Sequence, residues 1–358
     1  MDSTAGTSPA PQVKIDWEFA KVTGRRLAPA GPAVTPAEAR EVVESIRGYA
    51  AESVEPVAET ARLRAPGEAP PPMVVDRPTW IATNIDSMRH LMDPVVAKLS
   101  TRPGAPAPSA AVQAVGGKVT GAEVGGLLSF MSSKVLGQYD LAPEGTPRLM
   151  LVAPNLVHVE RELEVDPRDF RLWVCLHEET HRVQFTAVPW LREHMIQRSR
   201  DLMVEMTPSA EELPELLRRI VRRAPEALGP GGGGIADLVT TPEQRERMAE
   251  VTAIMSLMEG HADVIMDEVG PEVIPSVATI RERFNERRSG AGNVDRVLRR
   301  LLGLEAKMRQ YRDGAHFVRG VVDEVGIDGF NRVWESPETL PRPLEITDPA
   351  AWVRRVHG

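Results

Sequence analysis

The strongest structural signal in the sequence is the segment from Leu172 to His181, which reads LWVCLHEETH. Its apolar residues predict a helix, and Asp166 followed by Pro167 supplies an N-cap and a first-turn proline. Pro189 should end or kink this helix, because proline has no amide proton to continue the hydrogen-bond pattern. The segment therefore predicts two histidines held inside one largely apolar helix.

His177, Glu178 and His181 form a His-Glu-x-x-His motif within this helix. Residues four apart lie about 40° from each other around a helix and about 6 Å along it, so both imidazoles can bind one ion. Glu178 lies about 100° from His177 and can take a proton from zinc-bound water. The motif predicts a zinc site with two histidine ligands and Glu178 as general base. The alternative is a pair of histidines on a solvated helix face.

A second segment, with the sequence MEGHAD from Met258 to Asp263, supplies candidates for a third ligand. It lies among apolar residues, where a carboxylate is costly unless it is paired or bound to a cation. Glu259 and Asp263 are one turn apart on one face, whereas His261 lies about 200° from Glu259. These angular positions around the helix favour Glu259 as the ligand and Asp263 as a hydrogen-bond partner of a ligand histidine. An exposed polar stripe is the alternative.

A hydrolytic site also needs a donor for the negative charge that develops on the substrate oxygen. Tyr311 and His316 are the candidates, and their separation of about 140° on one helix allows only one of them to face the metal. The strand predicted at 148–153 could align an extended peptide as a sheet edge. A plain core strand is the alternative for the same residues.

The order of capping signals and apolar patterns predicts a mainly α fold with a small sheet. Residues 1–12 are expected to form a disordered tail, 13–118 a helical N-terminal region, and 119–358 the catalytic domain. Within the last part, the glycine-rich run at 229–234 lacks the Lys-Ser/Thr of a phosphate-binding loop and is interpreted as a flexible connection. Residues 101–117 are interpreted as a loop. Helices are expected at 36–51, 78–99, 120–136, 208–223, 242–269 and 294–325.

The composition of the chain excludes several classes of protein and of metal site. A net charge of -8 argues against general nucleic-acid binding, which requires a basic face. Cys175 is the single cysteine, so neither an intrachain disulfide nor a four-cysteine zinc site can form. The sequence contains neither a signal peptide pattern nor 18 consecutive apolar residues, which makes the cytoplasm the expected compartment and a membrane an unexpected partner.

The two motifs together resemble those of gluzincins, the group of thermolysin-like zinc proteases. The string Glu259-Gly260-x-Ala262 is also similar to the glutamate-ligand helix of zinc aminopeptidases. The resemblance implies a zincin-like fold with a Zn²⁺ cofactor held by His177, His181 and Glu259, and Asp263 as a partner of a ligand histidine.

Over its whole length the chain resembles a bacterial family described as zinc hydrolases, part of which is linked to the biosynthesis of a deazaflavin coenzyme. The similar segments are Trp17-Glu18-Phe19-Ala20, Pro78-Thr79-Trp80, the two metal motifs, Gln310-Tyr311-Arg312-Asp313-Gly314 and Trp352. We therefore predict a zinc-dependent hydrolase, foremost a metallopeptidase, acting on a peptide or a small amide. The alternative is a zinc-stabilised binding or scaffold protein of the same fold without turnover.

Overall fold

The computed structural model describes residues 15–67, 70–100, 110–207, 218, 240–289 and 304–358. Within these ranges the chain is mainly helical with one small sheet, which confirms the predicted fold class. The helices are α1 (Trp17–Leu27), α2 (Pro36–Glu52), α3 (Val54–Ala61), α4 (Arg77–Ser100), α5 (Ala110–Ser132), α6 (Ala153–Leu163), α7 (Pro167–Ala187), α8 (Leu191–Met206), α9 (Pro242–Val273), α10 (Val277–Ser289), α11 (Leu304–Phe330) and α12 (Pro349–His357). The strands are β1 (Met73–Val75), β2 (Gly137–Asp140) and β3 (Arg148–Val152).

Three of the predicted features lie outside the described residues. They are the tail at 1–12, the glycine-rich run at 229–234 and, apart from residue 218, the helix at 208–223. Of the helix predicted at 294–325, the residues from 304 onward belong to α11.

The sheet has the strand order β1-β3-β2. β3 runs parallel to β1, where Met150 pairs with Met73, and antiparallel to β2, where Leu151 pairs with Gly137. Both edges of β3 are therefore occupied, and its side chains from Leu149 to Val152 are buried. The interpretation of β3 as a peptide-aligning edge is wrong, and the alternative of a core strand is confirmed. β2 is the outer strand on the side of the sheet that faces α7.

Three helix starts agree with the predicted positions, whereas the helix predicted to begin at residue 120 begins at Ala110. The Thr35 side chain accepts from the Glu38 amide, and the Glu38 carboxylate accepts from the Thr35 amide, which completes a capping box. The Asp166 carboxylate accepts from the Asp169 amide at the start of α7. Thr241 begins α9 with a second capping box. Each cap satisfies amide groups that the first helical turn leaves free.

The loop predicted at 101–117 is wrong for residues 110–117, which form the first part of α5. The helix predicted at 120–136 therefore begins ten residues earlier than expected, and it ends at Ser132. Further along this helix, glycines pack closely against α1. A Cβ atom at Gly121 would lie 2.5 Å from the Asp16 carbonyl oxygen, and one at Gly125 would lie 2.4 Å from the Ala20 carbonyl oxygen. The two helix backbones therefore approach at a distance that only glycine permits.

The N-terminal helices and the metal-motif helix share one core. α5 runs through the division predicted between residues 118 and 119, and β1 pairs with β3 across it. Ile46 of α2 and Leu172 of α7 belong to the same buried cluster. The Cys175 side chain contacts the Ile46 carbonyl group there, and burial raises the pKa of its thiol. α7 is thus covered by apolar residues on the side opposite its histidines.

α9 and α11 pack with their backbones in direct contact at Gly260 and Gly314. A Cβ atom at Gly260 would lie 2.0 Å from the Gly314 carbonyl carbon, and one at Gly314 would lie 1.9 Å from the Ser256 carbonyl oxygen. Both neighbours are main-chain atoms, so a side chain at either position forces the helices apart. Because Gly260 follows Glu259, this contact also fixes where the Glu259 carboxylate lies.

We expect Gly260→Ala to lower the free energy of unfolding by about 3 kcal/mol or more, since overpacking against backbone is costly. Gly48→Ala is the matched control, because no atom lies within 4 Å of a Cβ atom there. That variant should be more stable than the wild type by up to about 1 kcal/mol, as alanine is the better helix former. Urea denaturation of both variants measures the difference. Equal stability of the two would contradict the packing argument.

Candidate metal centre

α7 and α9 bring three donor atoms together. Nε2 of His177 lies 3.2 Å from Nε2 of His181, and the two rings are nearly perpendicular. Oε2 of Glu259 lies 3.6 Å from Nε2 of His177 and 3.5 Å from Nε2 of His181. The histidines come from adjacent turns of α7, and the carboxylate comes from the facing helix. The structure thus places the three residues that the sequence predicted as ligands around one point.

The spacing of these atoms fits a zinc ion. Tetrahedral zinc with bonds of about 2.0–2.1 Å places its ligand atoms roughly 3.3–3.4 Å apart. The three observed separations, 3.2, 3.5 and 3.6 Å, bracket that value. Oε2 of Glu259 is buried without a hydrogen-bond partner among the described residues. A buried carboxylate oxygen without a donor is costly, and a bound cation removes that cost.

The charges of the metal-free site are already arranged to receive a cation. Burial acts to raise the pKa of the Glu259 carboxyl, but the two neighbouring histidines outweigh it and lower that pKa well below its usual range. Burial acts to lower the pKa of His181, and the Glu259 carboxylate reverses this and raises it to about 9. A metal must therefore displace a proton from His181, so its affinity falls as the pH falls.

Glu178 lies beside the three donor atoms and is covered by β2. Its side chain lines the same cavity as His177, and only 6 % of the residue is exposed. A Cβ atom at Gly137 of β2 would lie 2.5 to 2.7 Å from the side-chain atoms of Glu178. Glycine at this strand position thus makes room for the carboxylate. Sequence analysis missed Gly137, because a single glycine in a short strand carries no distinctive signal.

We expect Gly137→Ala to reduce any hydrolytic rate by at least about 100-fold, because the new methyl group displaces a group that is proposed to move protons. Zinc affinity should stay within about tenfold, since none of the three donor atoms is touched. Rate assays and a chelator titration on the same protein preparation measure both effects. A variant with the wild-type rate would show that Glu178 tolerates the displacement.

A cavity of about 310 Å³ opens next to His177 and Glu178. Trp173, Val174 and Phe284 give it apolar walls, and Arg281 is one of its charged residues. Its other lining residues are Lys134, Val135, Leu136, Gly137, Asp263, Met266 and Asn285. A cavity of this size beside the three donors can hold a side chain of a substrate.

The hydrogen-bond partners of the two histidines differ from the predicted one. Nδ1 of His181 lies 3.0 Å from Oε1 of Gln184, and Nδ1 of His177 lies 3.2 Å from Sδ of Met266. The Asp263 carboxylate instead accepts from Arg281 at 3.1 Å. The sequence predicted that Asp263 would be the hydrogen-bond partner of a ligand histidine. In the described contacts, Gln184 is that partner instead. The signal for Gln184 was its position one turn after His181 on the same face of α7.

The remaining candidates are His261, His316 and Tyr311. His261 is fully buried and stacks on Phe330 with ring centroids 5.4 Å apart, and burial lowers its pKa to about 3. It is absent from the cluster of possible ligands, as the helical phase predicted. His316 is exposed on α11. The side chain of Tyr311 lies outside the described residues, so its role stays a prediction.

Comparison with known proteins agrees with this geometry. Residues 15–353 match the sequence profile of the zincin-like metallopeptidases. The chain belongs to this family. It is also similar to a protein from Chloroflexus aurantiacus whose crystal structure was described as that of a candidate hydrolase with a novel fold. The two share 31% sequence identity with a TM-score of 0.66, over 96% of this chain and 99% of that one. No curated protein sequence matches the chain significantly.

Membership of the zincin-like metallopeptidase family implies a metal, typically zinc, and His177, His181 and Glu259 are the residues placed to hold it. The same three donor types, two histidines and a glutamate, form catalytic zinc sites that keep an open coordination position. Among the described helices, none combines the length and the apolar character needed to cross a membrane.

Proposed function

We propose that this zincin-like protein is a zinc-dependent hydrolase that cleaves peptide or small amide bonds. The observation that carries the proposal is the triangle of donor atoms from His177, His181 and Glu259 with a buried glutamate beside it. The chemistry of the donors suits Zn²⁺, because imidazole and carboxylate without thiolate is a common catalytic zinc set. A bound zinc ion supplies Lewis-acid polarisation of the scissile carbonyl group and lowers the pKa of water to about 7.

Glu178 performs the proton transfers in this proposal. It accepts a proton from the attacking water and passes that proton to the leaving nitrogen. Its position next to His177 and against Gly137 shields the carboxylate from bulk water. The same packing prevents the carboxylate from rotating away from the reacting atoms. A held base raises the rate because proton transfer needs the donor and acceptor within hydrogen-bond distance.

The substrate is expected to lie along β2. This strand is an outer strand of the sheet, and its glycine lies against Glu178. An extended peptide can pair with a strand edge through its main chain, which orients the scissile bond. The 310 Å³ cavity with Trp173, Val174 and Phe284 then takes an apolar side chain of the substrate. These two features favour a peptide, and the size of the cavity also admits a smaller amide.

The test is metal analysis combined with cleavage of a diverse peptide library. Protein purified without added metal should contain about one zinc per chain, since the three donors form one site. It should cleave library members in a manner that a chelator abolishes and that added zinc restores. Zinc far below half an equivalent with no uptake on reconstitution would refute the metal assignment. One firmly bound zinc without cleavage of any peptide or amide would favour a scaffold protein.

A further inference from the structure

Gln184 lies between the two helices that carry the proposed ligands. Its Oε1 is 3.0 Å from Nδ1 of His181 on α7, and its Nε2 is 3.0 Å from the Met258 carbonyl oxygen on α9. The same Nε2 is also 3.0 Å from Nδ1 of His261. Gln184 is completely buried, so water cannot replace any of these partners. One amide group therefore joins a proposed histidine ligand to the helix that carries Glu259.

The Met258 carbonyl determines which way this amide faces. A carbonyl oxygen can only accept a hydrogen bond, so it requires the amino group of Gln184 beside it. The reversed amide would place two acceptor oxygens 3.0 Å apart inside the core, where they repel each other and no hydrogen bond joins them. The oxygen of the Gln184 amide must therefore face His181.

The orientation of the Gln184 amide determines which ring nitrogen of His181 keeps its proton. Because Oε1 of Gln184 can only accept, Nδ1 of His181 carries a hydrogen and donates it. Nε2 is then the nitrogen that gives up its proton when a metal binds, and it is the atom that lies near Nε2 of His177 and Oε2 of Glu259. The hydrogen bond made by one ring nitrogen sets which other nitrogen can bind a metal.

We propose that Gln184 is a positioning residue of this metal centre. It holds His181 in the metal-binding tautomer, and through the Met258 carbonyl it keeps the Glu259 helix aligned with the histidine helix. The inference rests on the proposed zinc site. It assigns to a neutral amide on the histidine helix the task that the sequence had predicted for Asp263, whose carboxylate accepts from Arg281.

His177 provides an internal comparison, because its support is weaker. Its Nδ1 faces the thioether of Met266, and a thioether is a poor acceptor. Its side chain is also more exposed than that of His181, 22% against 13%. The Nδ1 proton of His177 should therefore exchange faster with water than that of His181.

The first test is nuclear magnetic resonance of protein labelled with ¹⁵N-histidine, in metal-free and in zinc-loaded form. We expect the Nδ1 proton of His181 to resonate downfield and to exchange at least about tenfold more slowly than that of His177. An Nδ1 of His181 without a proton would overturn the proposal. A protected proton in a protein that takes up no zinc would contradict the proposed function alone, because the Gln184 contacts do not require metal.

The second test compares Gln184→Met with Asp263→Asn. Methionine keeps a similar length but removes the hydrogen bonds to His181, His261 and the Met258 carbonyl group, so zinc affinity should fall about 10-fold to 100-fold. The zinc affinity of Asp263→Asn should stay within about threefold of the wild-type value, since the described partner of Asp263 is Arg281 and not a histidine. Competition with a chelator measures both, and circular dichroism checks folding. Equal losses of zinc affinity in the two variants would overturn the proposal. If Gln184→Met does not fold, the measurement of the His181 Nδ1 proton in the wild-type protein decides the question.

Discussion

Glu178→Gln should retain zinc and lose hydrolysis. The amide cannot accept a proton, and the structure places Glu178 beside the three donor atoms without making it one of them. We expect the rate to fall by more than the roughly 10²–10⁴-fold typical of general-base removal, because Glu178 also orients the attacking water. Zinc affinity should stay within about tenfold of the wild type. Turnover of the cleaved library peptides and a chelator titration measure the two quantities.

Glu179→Gln is the matched control for this experiment. Glu179 is the neighbouring glutamate on the same helix, but it is buried on another face in a two-fold hydrogen bond with Arg182, at 2.6 Å for each contact. Removing its charge should lower the free energy of unfolding by several kcal/mol, because Arg182 loses its buried counter-charge and one of its two hydrogen-bond acceptors. Its rate should change by less than about tenfold, as it contacts none of the donor atoms. Similar rate losses in both variants would contradict the assignment of Glu178.

Glu259→Ala should lower zinc affinity by several orders of magnitude, because it removes the carboxylate that completes the donor triangle. His261→Ala should leave zinc affinity within about tenfold, since the histidine only shares the Gln184 amide with the Met258 carbonyl. The cost of His261→Ala should appear instead in stability, through the cavity left beside Phe330. A competitive chelator titration ranks the two variants, and urea denaturation measures the stability loss. The reverse ranking of affinities would mean that α9 presents His261 to the metal.

The local pattern of the sequence was sufficient wherever neighbouring residues decide the outcome. The capping residues Thr35, Asp166 and Thr241 began helices at the predicted positions. Local patterns failed at the start of α5, where residues 110–117 carry few helix signals and were predicted as a loop but form a helix. The same helix contains Gly121 and Gly125, which lie against the backbone of α1. A glycine that permits close packing has the same sequence signature as one that ends a helix.

The sequence alone predicted the three residues that the structure brings together as possible ligands, because a helix fixes the relative direction of residues four apart. His177 and His181 must face the same side of α7, and Glu259 cannot share a face with His261 on α9. These relations follow from the geometry of a single helix and need no knowledge of the fold. Only the tertiary structure could decide which groups from other elements surround the site. It brought Gly137 of β2 against Glu178, replaced Asp263 by Gln184 as the partner of His181, and placed β2 instead of β3 at the sheet edge. The contacts of Gly137 and the position of β2 join separate elements, and neither spacing nor periodicity carries that information. The contact between Gln184 and His181 lies within α7 and is allowed by spacing, whereas only the packing of α9 against α10 decided that Asp263 pairs with Arg281.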